Sequence, residues 1–355
     1  MNRVLRRLGD SLSSQLAGPF LIMLGIAGLV SLTTDRFLDG QNLINVSLQV
    51  AIVAIVAIGA TIVILTAQID LSSGSLVALT TVIMAGLVKN LGLPVSLAVL
   101  SMLLMGAALG LVNGIFSSYG RIPSFIFTLG TLSIFRGLAF LYTGGTPIFS
   151  VSPRLNPLFY GQLLGLSYPF IYVVVLYTLA HLYLRYTEGG RQMYAVGGNE
   201  SAARLSGISV NWVRTKAFVI AGTTAALGGV LLTARLDSGS PNYGVGMELM
   251  AIAAAVIGGA SLFGGQGHIV ATLFGALTIV IVQNGLNLNA VPAAWQNITL
   301  GIIIAAAVGV DMWRGELGRL LRRVARRGLA RPPTEEPVRE AQELEQVGGR
   351  TARNR

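Results

Sequence analysis

The stretch Thr66-Ala67-Gln68-Ile69-Asp70-Leu71-Ser72-Ser73-Gly74-Ser75 sets a polar interval with one carboxylate between two apolar runs, 43 to 66 and 74 to 88. An isolated Asp near the middle of a membrane-spanning helix costs roughly 2.5 to 3.5 kcal/mol on insertion scales. Such a residue faces a cavity, a partner or the membrane edge. Two readings of Asp70 follow. As a cap it accepts backbone N–H groups at the start of a helix and complements the positive helix end. As part of a pathway it belongs to a helix that begins inside the membrane and presents its free N–H groups to a cavity.

Composition supports the membrane setting. Of 355 residues, 53% are hydrophobic and 11% charged, against roughly 25% charged in a soluble domain. The 44 glycines suit helices packed through small residues, and the alternating segments of a transmembrane barrel do not dominate. Apolar runs fall near 17 to 33, 43 to 66, 74 to 88, 94 to 116, 122 to 142, 169 to 184, 215 to 234, 248 to 263, 268 to 288 and 291 to 311. Since ~20 residues cross a bilayer as a helix, the expectation is an all-α, polytopic bundle of about ten transmembrane helices. The short runs at 74 to 88 and 248 to 263 are read as broken or tilted.

Charge sets the expected orientation and organisation. The net charge is +10, but 11 of the 25 basic residues lie beyond Trp313, beside the last apolar run, so anionic lipid is a simpler partner than nucleic acid. Placing both termini in the cytoplasm puts three basic segments inside: the N-terminal arm, residues 185 to 216 and the tail. The expected division is a cytoplasmic arm at 1–16, a transmembrane domain at 17–311 with a cytoplasmic loop at 186–214, a basic amphipathic juxtamembrane helix at 312–331 and a disordered tail at 332–355. The arginines before the run at 17 to 32 give it a signal-peptide outline, but without a small-residue cleavage site it reads as an uncleaved first span.

Several chemistries lack their residues. There is no cysteine, hence no thiol nucleophile or thiolate metal site. His181 and His268 alone do not make a zinc site. The lysines Lys89 and Lys216 are followed by Asn90 and Ala217, so neither completes a phosphate-binding G-x-x-x-x-G-K-[ST] loop. No G-x-S-x-G elbow occurs. The chain is expected to be neither an enzyme nor the holder of a cofactor, with any ATP hydrolysed by another subunit.

Two connections stand out. Residues 143 to 168 carry Pro147, Pro153 and Pro157 and read as an ordered outer surface loop without helix. In the inner loop, Asn199 is an expected N-cap, Glu200 and Arg204 an i,i+4 pair and Gly207 a C-terminal stop. An echo between residues 70–78 and 263–271 places a glycine-bearing polar turn between apolar runs in each copy. Arg136 is read as an interfacial anchor whose side chain snorkels outward. Asn284, Asn287 and Asn289 are read as packing or interface groups, and Glu248, beside Asp237, as a helix N-terminal carboxylate in preference to one of an outer acidic pair that meets a binding protein.

Five ordered stretches resemble a known family: Ile64-Leu-Thr-Ala-Gln-Ile-Asp-Leu-Ser-Ser-Gly-Ser75; Ile122-Pro-Ser-Phe-Ile-Phe-Thr-Leu-Gly-Thr131 with Arg136-Gly137; residues Gly190 to Gly207; Ile257 to Gly267; and Gly285-Leu-Asn287. They are similar to the permease subunits of bacterial ABC importers for monosaccharides, the ribose and xylose permease family, related to permeases for branched-chain amino acids. The resemblance spans about residues 40 to 311. It implies a ten-helix protein of the bacterial inner membrane that works as a homodimer, binds a cytoplasmic ABC ATPase and receives sugar from an extracytoplasmic binding protein. It also implies that Asn199, Glu200, Ala202, Ala203, Arg204 and Gly207 couple to the ATPase. The coupling pattern Glu-Ala-Ala-x-x-x-Gly is altered here, with Ser201 at the Glu position and Glu200 one place early.

A neutral sugar is matched by hydroxyl and amide groups, so the pathway candidates are Thr66, Gln68, Ser72, Ser73 and Asn113, with Asp70 shaping the break. The sugar itself stays open among pentoses, hexoses and polyols such as inositol. An alternative is an ion-gradient-driven carrier that titrates Asp70. A membrane enzyme acting on a lipid-linked substrate would need clustered carboxylates or a metal site, which the sequence does not offer.

Overall fold

A computed structural model describes the backbone of residues 2–328 and the side chains of residues 16–312. The amphipathic pattern expected beyond Trp313 and the tail expected at 332–355 lie outside the described side chains. The described residues up to Asp311 form one compact unit, and those from Met312 do not belong to it.

The long apolar runs become helices α1 (Asn2–Thr33), α2 (Gly40–Leu65), α3 (Ser73–Ala85), α4 (Val95–Ser118) and α5 (Ser124–Thr143). Between α5 and α7 (Tyr168–Tyr186) lie strand β1 (Ile148–Phe149), the short helix α6 (Asn156–Tyr160) and a hairpin of β2 (Gln162–Leu163) and β3 (Leu166–Ser167). This connection is ordered, as expected, but it contains helix. Two short helices follow, α8 (Glu188–Gly198) and α9 (Glu200–Leu205), then α10 (Val210–Leu236), strand β4 (Ser238–Gly239), α11 (Met247–Ile257), α12 (Ile269–Leu288) and α13 (Ala293–Gly328). Among the described residues, nine helices are long and apolar enough to span a membrane, and α11 is a shorter apolar helix.

The bundle has two ends, one carrying α8 and α9 (the loop end) and one carrying β1 to β4 (the strand end). Helix α2 is the core: Val50 to Leu65 are all buried, which is what a helix apolar on every face requires. Helix α10 packs across it and against α4 through glycines. A Cβ on Gly106 would meet the Gly222 carbonyl oxygen at 2.4 Å, and one on Gly110 the Phe218 carbonyl oxygen at 2.3 Å. Small residues let these backbones touch, the means by which helices associate where lipid removes the hydrophobic drive between them. The outer faces of α1, α4, α5 and α7 expose Leu21, Leu104, Leu129 and Leu179, as a lipid-facing surface would.

Polar residues inside the bundle pair. Asn42 and Asn284 exchange side-chain amide bonds of 3.0 and 2.8 Å, Asn289 donates to Thr33 Oγ1 at 3.0 Å, and Asn287 accepts from Gln296 at 2.9 Å. Asn284 is thus a packing group, as expected from the sequence, whereas Asn287 and Asn289 make their bonds on the exposed surface.

Candidate functional site

The chain turns into the bundle twice outside its helices, first as extended backbone and then as a run of turns. Helix α2 ends at the loop end, where Ala67 takes a left-handed φ of 57° and turns the chain back inward through residues 68–72 to the start of α3. An extended segment lacks internal hydrogen bonds, so buried N–H groups need side-chain partners. Helix α5 supplies them: Ile69 N–H donates to Ser124 Oγ at 3.1 Å and Leu71 N–H to Thr128 Oγ1 at 3.0 Å.

Within this first inward segment Asp70 is buried. Its Oδ1 accepts from the Ser72 backbone N–H at 2.8 Å and from Ser72 Oγ at 2.7 Å, a side-chain turn of the kind Asp favours. Ser72 Oγ also accepts from Asn113 Nδ2 at 2.8 Å. The N-cap position of α3 is Ser72, whose side chain makes no cap bond, so Asp70 shapes the turn two residues ahead of the helix and is not itself the capping residue.

The second inward segment comes from the strand end. After α10, Asp237 adopts a φ of 45°, β4 pairs with β1, and residues 240–246 run back along α3. A Cβ on Gly239 would meet the Thr81 carbonyl oxygen at 2.3 Å, and one on Gly244 the Gly74 carbonyl oxygen at 2.4 Å. The re-entrant chain therefore descends α3 from Thr81 to Gly74, then starts α11. Arg136 holds it in place by donating to the carbonyls of Pro241 and, at 2.7 Å, Tyr243.

One sequence expectation is corrected here. Arg136 does not snorkel outward: the re-entrant carbonyls, freed from any helix or sheet, are the nearer acceptors. Glu248 stands in the first turn of α11, the helix N-terminal carboxylate expected from the sequence, and is not paired with Asp237 at the surface. Asp237 accepts from the Ser152 N–H at 2.9 Å at the strand end, whereas Glu248 lies inside against Gly74, where a Cβ would fall 1.9 Å from its Oε2. Residues 238–246 read as an outer loop because they are polar and glycine-rich; the signal that they re-enter is the brevity of the helix that follows. Eleven residues at about 1.5 Å each span only half of a roughly 30 Å hydrocarbon core.

The pathway candidates thus divide. Asp70, Ser72, Ser73 and Asn113 gather around the first turn of α3, joined by Glu248, which sequence reasoning did not include. Ser73 Oγ, Asn113 Oδ1 and Glu248 Oε2 are buried and without a hydrogen-bond partner among the described residues. Gln68 lies outside this group, lining a cavity at the loop end. Thr66 is fully buried and donates to its own helix at Val63 O, 2.8 Å away, so it closes α2 rather than facing a space.

At the loop end α9 forms as read from the sequence. Asn199 Oδ1 accepts from Ala202 N–H at 2.9 Å, Glu200 pairs with Arg204 at 2.8 Å, and Gly207 takes a φ of 79°, the left-handed stop that glycine allows. Glu200 also reaches Arg214 on α10 at 2.8 Å, a tie the sequence did not reveal. Its carboxyl is held below the ordinary range, first by the Arg204 hydrogen bond and further by Arg214, against a smaller opposing effect of burial. Ala203 packs inward while Ala202 and Leu205 are exposed, Leu205 to 91%. Helix α8 touches the start of the first inward segment: a Cβ on Gly197 would lie 1.9 Å from the Leu65 carbonyl oxygen, and Gly265 N–H donates to that same carbonyl at 3.0 Å.

A glycine-packed polytopic bundle, re-entered at residues 238–246 ahead of one short apolar helix and carrying a helical knob at one end, is the architecture of a membrane permease. The family profile described as branched-chain amino acid transport system / permease component matches residues 42–308. A ribose import permease protein of Bacillus subtilis is 42% identical over 299 residues, covering 84% of this chain and 92% of its own. A ribose import permease protein of Haemophilus influenzae is 39% identical over 300 residues, covering 83% and 93%. A D-allose transport system permease protein of Escherichia coli is 34% identical over 292 residues, covering 82% and 90%. No solved structure matches the chain. The chain belongs to this family of bacterial ABC-importer permeases and is a multi-pass membrane protein.

Proposed function

We propose that the chain forms one half of a membrane pathway for uptake of a small sugar or polyol, paired with a second copy, supplied by an extracytoplasmic binding protein and driven by a separate ATPase. The observation that carries the reading is the meeting of the inward segments at Gly74, Gly244 and Glu248. It leaves a hydroxyl, an amide oxygen and a carboxylate oxygen buried and unpartnered, among the described residues, beside the first turn of α3. A sugar presents hydroxyls that both donate and accept, and such convergent polar atoms within an apolar frame are what recognise it. Family membership and the sugar-import names of the relatives support the same direction.

In this reading the loop end is cytoplasmic. Asn199, Glu200, Ala202, Ala203, Arg204 and Gly207 build the surface that meets the ATPase, with exposed Leu205 as its apolar tip. Motion of α9 and α8 reaches the break through the contact of Gly197 with Leu65. The half-helix junction then opens alternately to the two sides.

Uptake of labelled sugar by the reconstituted importer tests the pathway. Ser73→Ala and Glu248→Gln are expected to raise the half-saturating sugar concentration for transport while leaving ATPase association intact. Unchanged uptake in both variants would sink the assignment. Deleting residues 199–207 is expected to abolish ATPase capture in a pull-down without preventing membrane insertion.

A further inference from the structure

We infer that the loop-end cavity is a binding site for a phosphate-bearing anion that regulates coupling. The cavity holds about 640 Å³ and lies between residues 67–69, the α4–α5 turn and the inward side of α9. Three of its lining residues are Arg121, Arg204 and Arg214, and Glu200 is the one carboxylate among those lining it. Glu200 already engages two of the arginines, so the cavity keeps a surplus of positive charge. Arg121 makes no side-chain hydrogen bond among the described residues, and Arg214 Nε is buried without a partner there.

The floor supplies the second, independent sign of a ligand. Ser117 and Ser118 line the cavity and are only 8% and 7% exposed. Yet their hydroxyls make no hydrogen bond among the described residues, whereas other buried hydroxyls of this bundle, such as Thr61 and Thr80, bond to the carbonyl four residues back. Buried hydroxyls left unpaired are costly unless a ligand completes them. Guanidinium groups with adjacent hydroxyls are the recognition set for a phosphate group, with N–H and O–H donors meeting three acceptor oxygens. The volume leaves room for a small polar body attached to the phosphate, beside Gln68 and Asn211.

The site sits behind α9 and away from its exposed tip at Leu205. An anion there would bridge Arg121 on the α4–α5 turn to Arg204 on α9 and Arg214 on α10, fastening the knob to the bundle. The soluble ligand of this chemistry is a sugar phosphate, the product class of a kinase acting on the imported sugar; this identity rests on the import reading, whereas the phosphate site does not. Free phosphate and a lipid headgroup share the same chemistry.

The test uses the full-length chain in phosphatidylcholine nanodiscs, titrated calorimetrically with inorganic phosphate, ribose 5-phosphate and, as neutral control, ribose. Both anions are expected to bind, the ester more tightly. Arg121→Gln should weaken both roughly tenfold or more, the loss of a charge-assisted contact, and Ser118→Ala by a smaller factor. Absence of binding by either anion, or wild-type affinity in both variants, overturns the site. If phosphatidylglycerol in the nanodisc abolishes anion binding, the site stands and its occupant is a headgroup. In vesicles loaded with ribose 5-phosphate, uptake by the wild-type importer should slow and uptake by Arg121→Gln should not. Equal slowing of both overturns the regulatory role. Failure of sugar uptake by the unloaded wild type, with phosphate still bound, would instead count against the import reading alone.

Discussion

The inward segments at residues 68–72 and 240–246 solve the same problem in opposite ways. In the first, α5 supplies acceptors: Ser124 and Thr128 take the free N–H groups, while Asp70 and Asn113 bind Ser72. In the second, α5 supplies a donor: Arg136 takes the free carbonyls, and contact with α3 completes the fastening. Each segment then hands on to a helix whose first turn carries a polar atom unpartnered among the described residues, Ser73 Oγ after the first and Glu248 Oε2 after the second. The groups that fasten the segments shape the site, and the unpartnered atoms that follow them are the ones free to take a ligand.

The largest expected effect comes where the inward segments touch. A side chain at position 74 collides with Glu248 Oε2 at 1.9 Å and with the Gly244 carbonyl oxygen at 2.4 Å. The carboxylate can swing away, but the backbone of a packed re-entrant segment has nowhere to go. Gly74→Val should therefore abolish uptake, and Gly74→Ala should cost about 1–3 kcal/mol, the usual penalty of overpacking, read as a lower melting temperature in detergent. A Gly74→Ala protein with native melting and uptake would show that the junction is loose and that the two segments do not constrain each other.

Next in size is the fastening of residues 240–246. Arg136→Gln withdraws a donor from the carbonyls of Pro241 and Tyr243, and a buried acceptor left unpaired costs roughly 1–3 kcal/mol. The variant should melt earlier, and limited proteolysis should gain a cleavage within residues 238–246 that the wild type resists. Protection equal to the wild type would mean that contact with α3 alone holds the segment.

Asp70 tests the first segment in turn. Asp70→Asn keeps an acceptor oxygen for the Ser72 N–H, so a shaping role predicts near-native uptake, whereas Asp70→Ala loses the turn at a cost of ~1 kcal/mol, comparable to losing a helix cap. A carrier that titrates Asp70 predicts instead that both variants lose proton coupling alike, since neither side chain takes up a proton. Uptake driven by a proton gradient in the absence of the ATPase, lost in Asp70→Asn, would favour the carrier.

What the sequence disclosed follows from the range of the interactions involved. Spans are visible because twenty consecutive apolar residues have few alternatives, and α9 is visible because its cap, its Glu200–Arg204 pair and its Gly207 stop are local. Ser72, Ser73 and Asn113 are candidates by residue type and only the fold brings them together, whereas the Thr66 hydroxyl has an acceptor three residues back on its own helix. The inward positions of Glu248 and Arg136 are not legible in the sequence for one shared reason. Their partners are separated from them in sequence, Arg136 from Tyr243 by 107 residues, and only the fold reveals that residues 238–246 turn inward. In both stretches of the echo, 70–78 and 263–271, a polar turn leads into a helix, α3 at Ser73 and α12 at Ile269, and the turns lie close together, since a Cβ on Gly264 would fall 2.7 Å from Ala67 Cβ.

The smallest expected effect concerns the knob. Glu200 accepts from Arg204 and Arg214, and its folded pKa lies below the value it has in the unfolded chain. A depressed carboxyl contributes stability that is fully present above its unfolded pKa and is lost as pH falls through the folded value. Docking of α9 onto α10 should therefore be constant from neutral pH down to the ordinary carboxylate range and weaken only below it. Because the Glu200 side chain is 40% exposed, solvent screens the pair and the change is small. Hydrogen exchange at Ala202 and Ala203 would register it as faster opening at acid pH in the wild type, and Glu200→Gln should show that faster opening already at neutral pH, with no further change on acidification. A pH response that persists in Glu200→Gln would assign it to another group.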